Sequence, residues 1–250
     1  MRRALLPVAV VAGLLAAWEL AARWDLLADA LDLQPYLVPA PSEVASALWE
    51  DRSLIADNAW VTLKEVVLGF ACALVAGAAF AVSLHLSPVL RRAVYPLLVA
   101  SQAVPVIAIA PILVVWFGFG IGPKLGIIAL VCFFPITVNA LDGLRRVDGD
   151  AVKMLRTLDA SRWQIFRHLE APTALPFLFS GAKVAIAVAV IGAVFAEWTG
   201  ASEGLGFMIN QDSGVLATDR MFAAIAVLSA MAIGLFGLLT LVERRVITWK

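Results

Sequence analysis

The 250-residue sequence predicts an all-α integral membrane protein with six transmembrane helices. Three observations carry that reading. Hydrophobic residues make up 62% of the chain and charged residues only 15%, with a mean hydropathy of +0.92; a typical soluble domain carries roughly 25% charge. Long stretches contain no Asp, Glu, Lys or Arg at all. The basic residues between those stretches are unevenly shared between alternate loops. An ordinary soluble enzyme, a disordered chain and a secreted disulfide scaffold are excluded. The 19 basic and 19 acidic residues balance, so no bulk field points to nucleic acid. Cys72 and Cys132 sit inside apolar runs and read as small core hydrophobes.

The charge-free stretches place the spans, because a crossing helix needs about 20 mostly apolar residues. Between Arg3 and Glu19 lie 15 such residues, between Glu65 and Arg91 25, and between Arg92 and Lys124 31. Between Lys124 and Asp142 lie 17, between Arg220 and Glu243 22, and 171–196 holds only Lys183. The spans are therefore expected at about 5–23, 60–85, 93–117, 125–143, 175–198 and 221–243, in one transmembrane domain over 1–250. Met1-Arg2-Arg3 before an apolar run also suits a signal peptide. No cleavage site closely follows, so an uncleaved first helix is expected.

Threading six spans from a cytoplasmic N-terminus puts 14 of the 19 basic residues on the inner side, as the positive-inside rule requires. Arg23, Arg52, Lys64, Lys124 and Arg220 remain outside. Both termini are thus expected in the cytoplasm. The outer loop 24–59 is acidic, and Pro41-Ser42-Glu43 reads as the start of a short helix with Ser42 as N-cap and Val44 and Leu48 on one face. The turn 119–123 is Gly-rich but has no following Gly-Lys-Ser/Thr, so it is no phosphate loop. The outer loop 199–219, with four glycines, reads as a packed irregular segment. Trp116 and Trp198 suit aromatic anchors near the outer interface. His85 stands alone at a helix end, without metal partners in the sequence.

The cytoplasmic loop 144–174 is too long for a simple connection. It reads as two short helices, about 150–158 and 161–169, the second ending before Pro172. Asp159 suits the break, since Asp tolerates unusual backbone angles and caps helix starts. Trp163, Phe166 and Leu169 follow helical spacing, flanked by Arg162 and Arg167. Such a helix can dock into a groove on a soluble partner or rest on lipid headgroups.

The run Leu158-Asp159-Ala160-Ser161-Arg162-Trp163-Gln164-Ile165-Phe166-Arg167, followed by Pro172 and Ala174-Leu175-Pro176, resembles the cytoplasmic signature loop of ABC-importer permeases. That signature opens Glu-Ala-Ala, carries a Gly, and closes Ile-x-Leu-Pro. Here Lys153, Met154 and Leu155 stand at the first positions, Asp159 at the Gly, and 169–172 at the close. Residues 104–120, Phe133-Phe134-Pro135-Ile136 with Asn139 and Asp142-Gly143, and 191–198 are similar to nitrate, sulfonate and taurine permeases. Residues 86–102 most resemble permeases for thiamine-precursor pyrimidines.

The resemblance implies a type I importer bundle in the bacterial inner membrane and a homodimer of permeases. It implies two cytoplasmic ATPases gripping Asp159, Ala160, Ser161, Arg162, Trp163, Phe166 and Arg167, and an extracytoplasmic binding protein. The solute it implies is a hydroxymethylpyrimidine-like compound, with an aliphatic sulfonate, taurine or nitrate as the alternative. The sequence holds no GxxxxGK[ST], so ATP is expected on another polypeptide, and no cofactor is expected on this one.

Two other classes compete. An ion-coupled carrier would show acidic or His residues deep in its spans, and a membrane enzyme would cluster His, Asp, Glu or Cys at the membrane face. For the substrate path, Ser101 and Gln102 are polar groups inside the third span. Lys183 and Glu197 lie 14 residues apart on the fifth, about 40° apart around the helix. Lys183 can equally snorkel toward headgroups, and Gln102 can bridge helices.

Overall fold

The structure, a computed structural model, describes residues 2–249, with side chains for all of these except 2–5, 7, 8, 27 and 31. It is helical throughout its ordered elements, and among the described residues it has no strand. The chain divides into two compact units, one of residues 1–61 with 202–229 and the other of 62–201 with 230–250.

The first unit begins with α1 (Arg2–Arg23), α2 (Leu26–Leu31) and α3 (Pro41–Glu50), followed by the start of α4 (Arg52–Leu86). At α3 the expected cap moves. Pro41 takes the first helical position, where its fixed φ is already helical and its missing N–H costs nothing. Ala40 becomes the N-cap, and Glu43 reaches back to accept its N–H at 2.8 Å. Ser42 instead donates its hydroxyl and its backbone N–H to Glu19. Val44 and Ala47 are buried while Leu48 is exposed.

Within the same unit, the segment expected to be irregular contains α11 (Leu205–Val215). Leu205, Met208, Ile209 and Asp212 are buried, at the i, i+3, i+4, i+7 spacing of one helix face. Gly204, at φ 119°, supplies the turn before it, and its N–H is accepted by Asn58 Oδ1 at 2.7 Å. Asp212 receives Arg220, at the start of α12 (Thr218–Val246), through two parallel hydrogen bonds.

The second unit holds the rest of α4 with α5 (Pro88–Ala100), α6 (Val106–Phe117), α7 (Ile121–Arg145), α8 (Gly149–Thr157), α9 (Arg162–Ile165) and α10 (Ala171–Gly200), plus the end of α12. Its core is the seam of α7 against α10. Ile127, Ile128, Cys132, Ile136 and Leu141 of α7 and Ala185, Ala189 and Ala193 of α10 are all fully buried. Small residues let the backbones close up. A Cβ on Gly181 would stand 2.5 Å from the Pro135 carbonyl oxygen, and one on Gly69 2.6 Å from Ile128. Cys72, expected in a core, is exposed, whereas Cys132 is buried.

Among the described residues four helical runs are long and apolar enough to cross a membrane, 52–86, 121–145, 162–200 and 218–246. A fifth is made by α5 and α6 taken together. The expected span at 5–23 falls in α1, several of whose side chains lie outside the described residues.

Two expectations about continuity are corrected. The span expected at 93–117 is broken, with α5 and α6 meeting at 98°. Pro105 cannot donate a backbone hydrogen bond and forces Val104 out of the helical region; Val104 sits at φ −82°, ψ 119°. The second cytoplasmic helix, expected to stop before Pro172, runs on without interruption from Arg162 to Gly200. A π-helical turn over Phe166–Glu170 precedes Pro172, and such local widening accommodates the ring and its missing donor.

Candidate functional site

The segment between α7 and α10 is built from capped short helices. Asp148 opens α8 by accepting the Asp150 N–H. The chain then reverses at Asp159, whose φ of 56° is left-handed. A side chain pays strain there that glycine avoids, which accounts physically for Asp, tolerant of this region, standing at the signature's Gly position. The N-cap of the next helix is Ser161, not Asp159. Ser161 Oγ accepts the Gln164 N–H at 3.3 Å, and Gln164 Oε1 accepts the Ser161 N–H at 2.7 Å, a reciprocal capping box.

This framework presents a apolar ridge on a basic surface. Trp163 is 66% exposed and stacks on Phe166 with ring centroids 5.6 Å apart and planes 22° from parallel. Met154 and Leu158 are also exposed, while Ile165 faces inward and anchors the helix. Arg162 and Arg167 are exposed on either side, and Ala160 is half-buried beneath the turn. His85 at the end of α4 meets Glu170 at 3.0 Å, tying the π-turn to the membrane helices. Arg146 lies over the Phe177 ring at 5.0 Å. The residues expected to contact a soluble partner are thus brought together on one exposed surface, to which Met154 and Leu158 add.

Ser101 and Gln102 occupy the bend between α5 and α6. There they line a cavity of about 530 Å³ whose other walls come from α6, α7 and α10, including Phe134, Val188, Ile191 and Phe195. Ser101 spends its hydroxyl on the Leu98 carbonyl at 2.7 Å. The Gln102 carboxamide makes no hydrogen bond among the described residues and is exposed to the cavity. The lining contains no Lys, Arg, Asp or Glu.

Lys183 and Glu197 do not line that cavity. Lys183 forms an ion pair with Glu243 of α12 and lies 5.8 Å from the Phe236 ring centroid. Glu197 is 1% exposed and accepts the Thr62 hydroxyl at 2.7 Å. Nearby on the same helix, Glu65 pairs with Lys124 at 2.7 Å. That pair went unread in the sequence, although Lys124 is the lone charge between two apolar runs of 31 and 17 residues. A lone cation in such a setting calls for a partner.

Several apolar spans, an exposed aromatic ridge and a cavity between helices fit a membrane-transport component. Residues 69–248 match the model of the binding-protein-dependent transport system inner membrane component family, and the chain belongs to that family. It is 36% identical over 249 residues to the formylaminopyrimidine transport permease protein ThiX of Halalkalibacterium halodurans, covering 99% of this chain and 97% of that protein. It is 36% identical over 217 residues to the riboflavin transport system permease protein RibX of Chloroflexus aurantiacus, covering 86% and 81%. Among solved structures, the inward-facing MetNI methionine ABC transporter aligns with a TM-score of 0.62 at 22% identity, over 79% of this chain and 96% of that one. The chain is therefore a multi-pass permease subunit of an ABC importer, not an enzyme, and ATP hydrolysis falls to a separate subunit.

Proposed function

We propose that this permease carries a thiamine-precursor pyrimidine, a small neutral aminopyrimidine of the hydroxymethylpyrimidine or formylaminopyrimidine kind. The observation that carries the reading is the character of the cavity at the α5–α6 bend. Its walls are apolar and aromatic, its free polar group is one carboxamide, and none of its lining residues is charged. An anion moved there would lose its hydration without gaining a counter-charge, at a cost of several kcal/mol. A sulfonate, taurine or nitrate is disfavoured on that ground, whereas a flat neutral heterocycle can stack on Phe134 and Phe195. The full-length relative from Halalkalibacterium halodurans is named for an aminopyrimidine, which supports the same chemistry.

The wider assembly follows the same reading. Two copies of the chain form the path, with both termini in the cytoplasm as the basic residues require. An extracytoplasmic binding protein delivers the solute. Two ATPases take hold of 159–167, with Trp163 as the anchor and Arg162 and Arg167 setting orientation. The test of the substrate is thermal unfolding of the cognate extracytoplasmic binding protein. Stabilisation by hydroxymethylpyrimidine or formylaminopyrimidine is the expected result. Stabilisation by taurine or an alkanesulfonate, with no response to aminopyrimidines, would overturn the substrate and leave the importer reading intact.

A further inference from the structure

We infer that Gln102 is the permease's own specificity-determining residue, reading the hydrogen-bonding edge of a pyrimidine while Phe134 and Phe195 hold its faces. The inference rests on the aminopyrimidine reading above and adds a recognition step inside the membrane.

Three features of the cavity lead to it. First, Gln102 stands at the break between two helices, where Pro105 prevents the backbone from continuing. It is therefore presented from an irregular bend, the kind of backbone tolerated at membrane depth where it lines a cavity. Second, its carboxamide is unspent. Ser101, beside it, is satisfied by the Leu98 carbonyl, but the Gln102 amide has no hydrogen-bond partner among the described residues. Exposed at the cavity, its donor and acceptor are both free for a ligand to take up. Third, the aromatic lining is braced. Phe195 packs edge-on against Trp198, centroids 5.4 Å apart and planes 89° apart.

The chemistry fits one ligand class. A carboxamide offers one donor and one acceptor side by side. The 4-amino group and ring N3 of an aminopyrimidine offer the complementary donor and acceptor. The same pairing lets Gln read adenine by two parallel hydrogen bonds. Aromatic rings add stacking that is indifferent to the substituents of the heterocycle. Rotation of the amide by half a turn would present the reverse order, so a lactam edge is read as well. Ring compounds lacking either edge are rejected, because Gln102 would then be desolvated without a partner.

The experiment uses permease, ATPase and binding protein reconstituted in proteoliposomes, with the binding protein saturated by radiolabelled hydroxymethylpyrimidine. The readout is solute moved per ATP hydrolysed. Gln102→Met keeps size and removes both hydrogen bonds, and should lower this ratio about tenfold while stimulated ATP hydrolysis and co-purification of the ATPase stay at wild-type levels. Gln102→Asn, which retains the amide on a shorter stem, should recover part of the loss. If Gln102→Met fails to assemble, Gln102→Ala carries the same test. Wild-type coupling in an assembled Gln102→Met or Gln102→Ala permease, with the pyrimidine still held by the binding protein, would overturn the inference and mark the cavity as a lipid or helix crevice. Failure of the binding protein to hold any aminopyrimidine would instead remove the substrate reading on which it rests.

Discussion

Replacing Trp163 by Ala tests the docking ridge most directly. The indole leaves 66% of its residue surface exposed. Taking about 250 Å² for a tryptophan, roughly 165 Å² is available for burial, worth about 4 kcal/mol at 25 cal/mol per Å². Ordering a side chain on binding costs about 0.5–1.5 kcal/mol, and the stack on Phe166 already restricts this one. About 3 kcal/mol therefore remains, or roughly a hundredfold in Kd. Titration of the ATPase onto permease in lipid nanodiscs should show that weakening for Trp163→Ala. Solute uptake should fall with it, while the permease's own thermal unfolding stays unchanged, because Trp163 packs on a neighbour one turn away and not in the α7–α10 core. A Kd within threefold of wild type, with full uptake, would show that the indole rests on lipid headgroups and that the ATPase is gripped elsewhere.

Three other outcomes follow from features already described. Lys183→Met should destabilise the detergent-solubilised permease by about 3–5 kcal/mol, because it leaves the largely buried Glu243 carboxylate without its ammonium; Lys183→Met with Glu243→Gln should recover most of the loss, and additive losses in chemical unfolding would refute the pairing. At the signature turn, Asp159→Gly should slow hydrogen exchange over 160–168 by relieving a left-handed side chain, whereas Ser161→Ala should speed it, at a cost of about 1 kcal/mol; faster exchange in Asp159→Gly would contradict the backbone reading. Reporter fusions after Trp49 and Ser213 should report the outside and one after Arg146 the inside, and an outside signal after Arg146 would reverse the orientation.

The spans and the exposed Trp163–Phe166 face were legible because both rest on local pattern. Charge-free length marks a crossing whatever its neighbours do, and the Trp163–Phe166 spacing already specifies one helix face. The errors came where local rules meet tertiary compensation. Pro172 read as a helix end and residues 93–117 as one span, yet the chain bends by 98° before Pro105 while Pro172 is absorbed by a π-turn. The 31-residue apolar run before Lys124 was longer than one crossing needs, which was the available sign of a break. Four glycines made 199–219 look irregular, while Leu205, Met208, Ile209 and Asp212 held a helical period beneath them. The 40° arithmetic for Lys183 and Glu197 concerns their common helix alone. Their partners, Glu243 and Thr62, lie on two different helices, and no spacing within one segment could reveal that.

The uninterrupted run from Arg162 to Gly200 makes the exposed Trp163 surface and the cavity wall parts of one lever. Trp163 lies near one end, and Val188, Ile191 and Phe195 face the cavity toward the other. At 1.5 Å per residue, Trp163 and Phe195 are separated by about 48 Å along the axis. A tilt of about 5° at the Trp163 end would sweep the far end through about 4 Å, close to the thickness of an aromatic ring. Near its start the winding changes at the π-turn, which His85 and Glu170 hold to α4. Stiffness there sets how much of a displacement at Trp163 reaches the cavity wall and how much is lost as flexure.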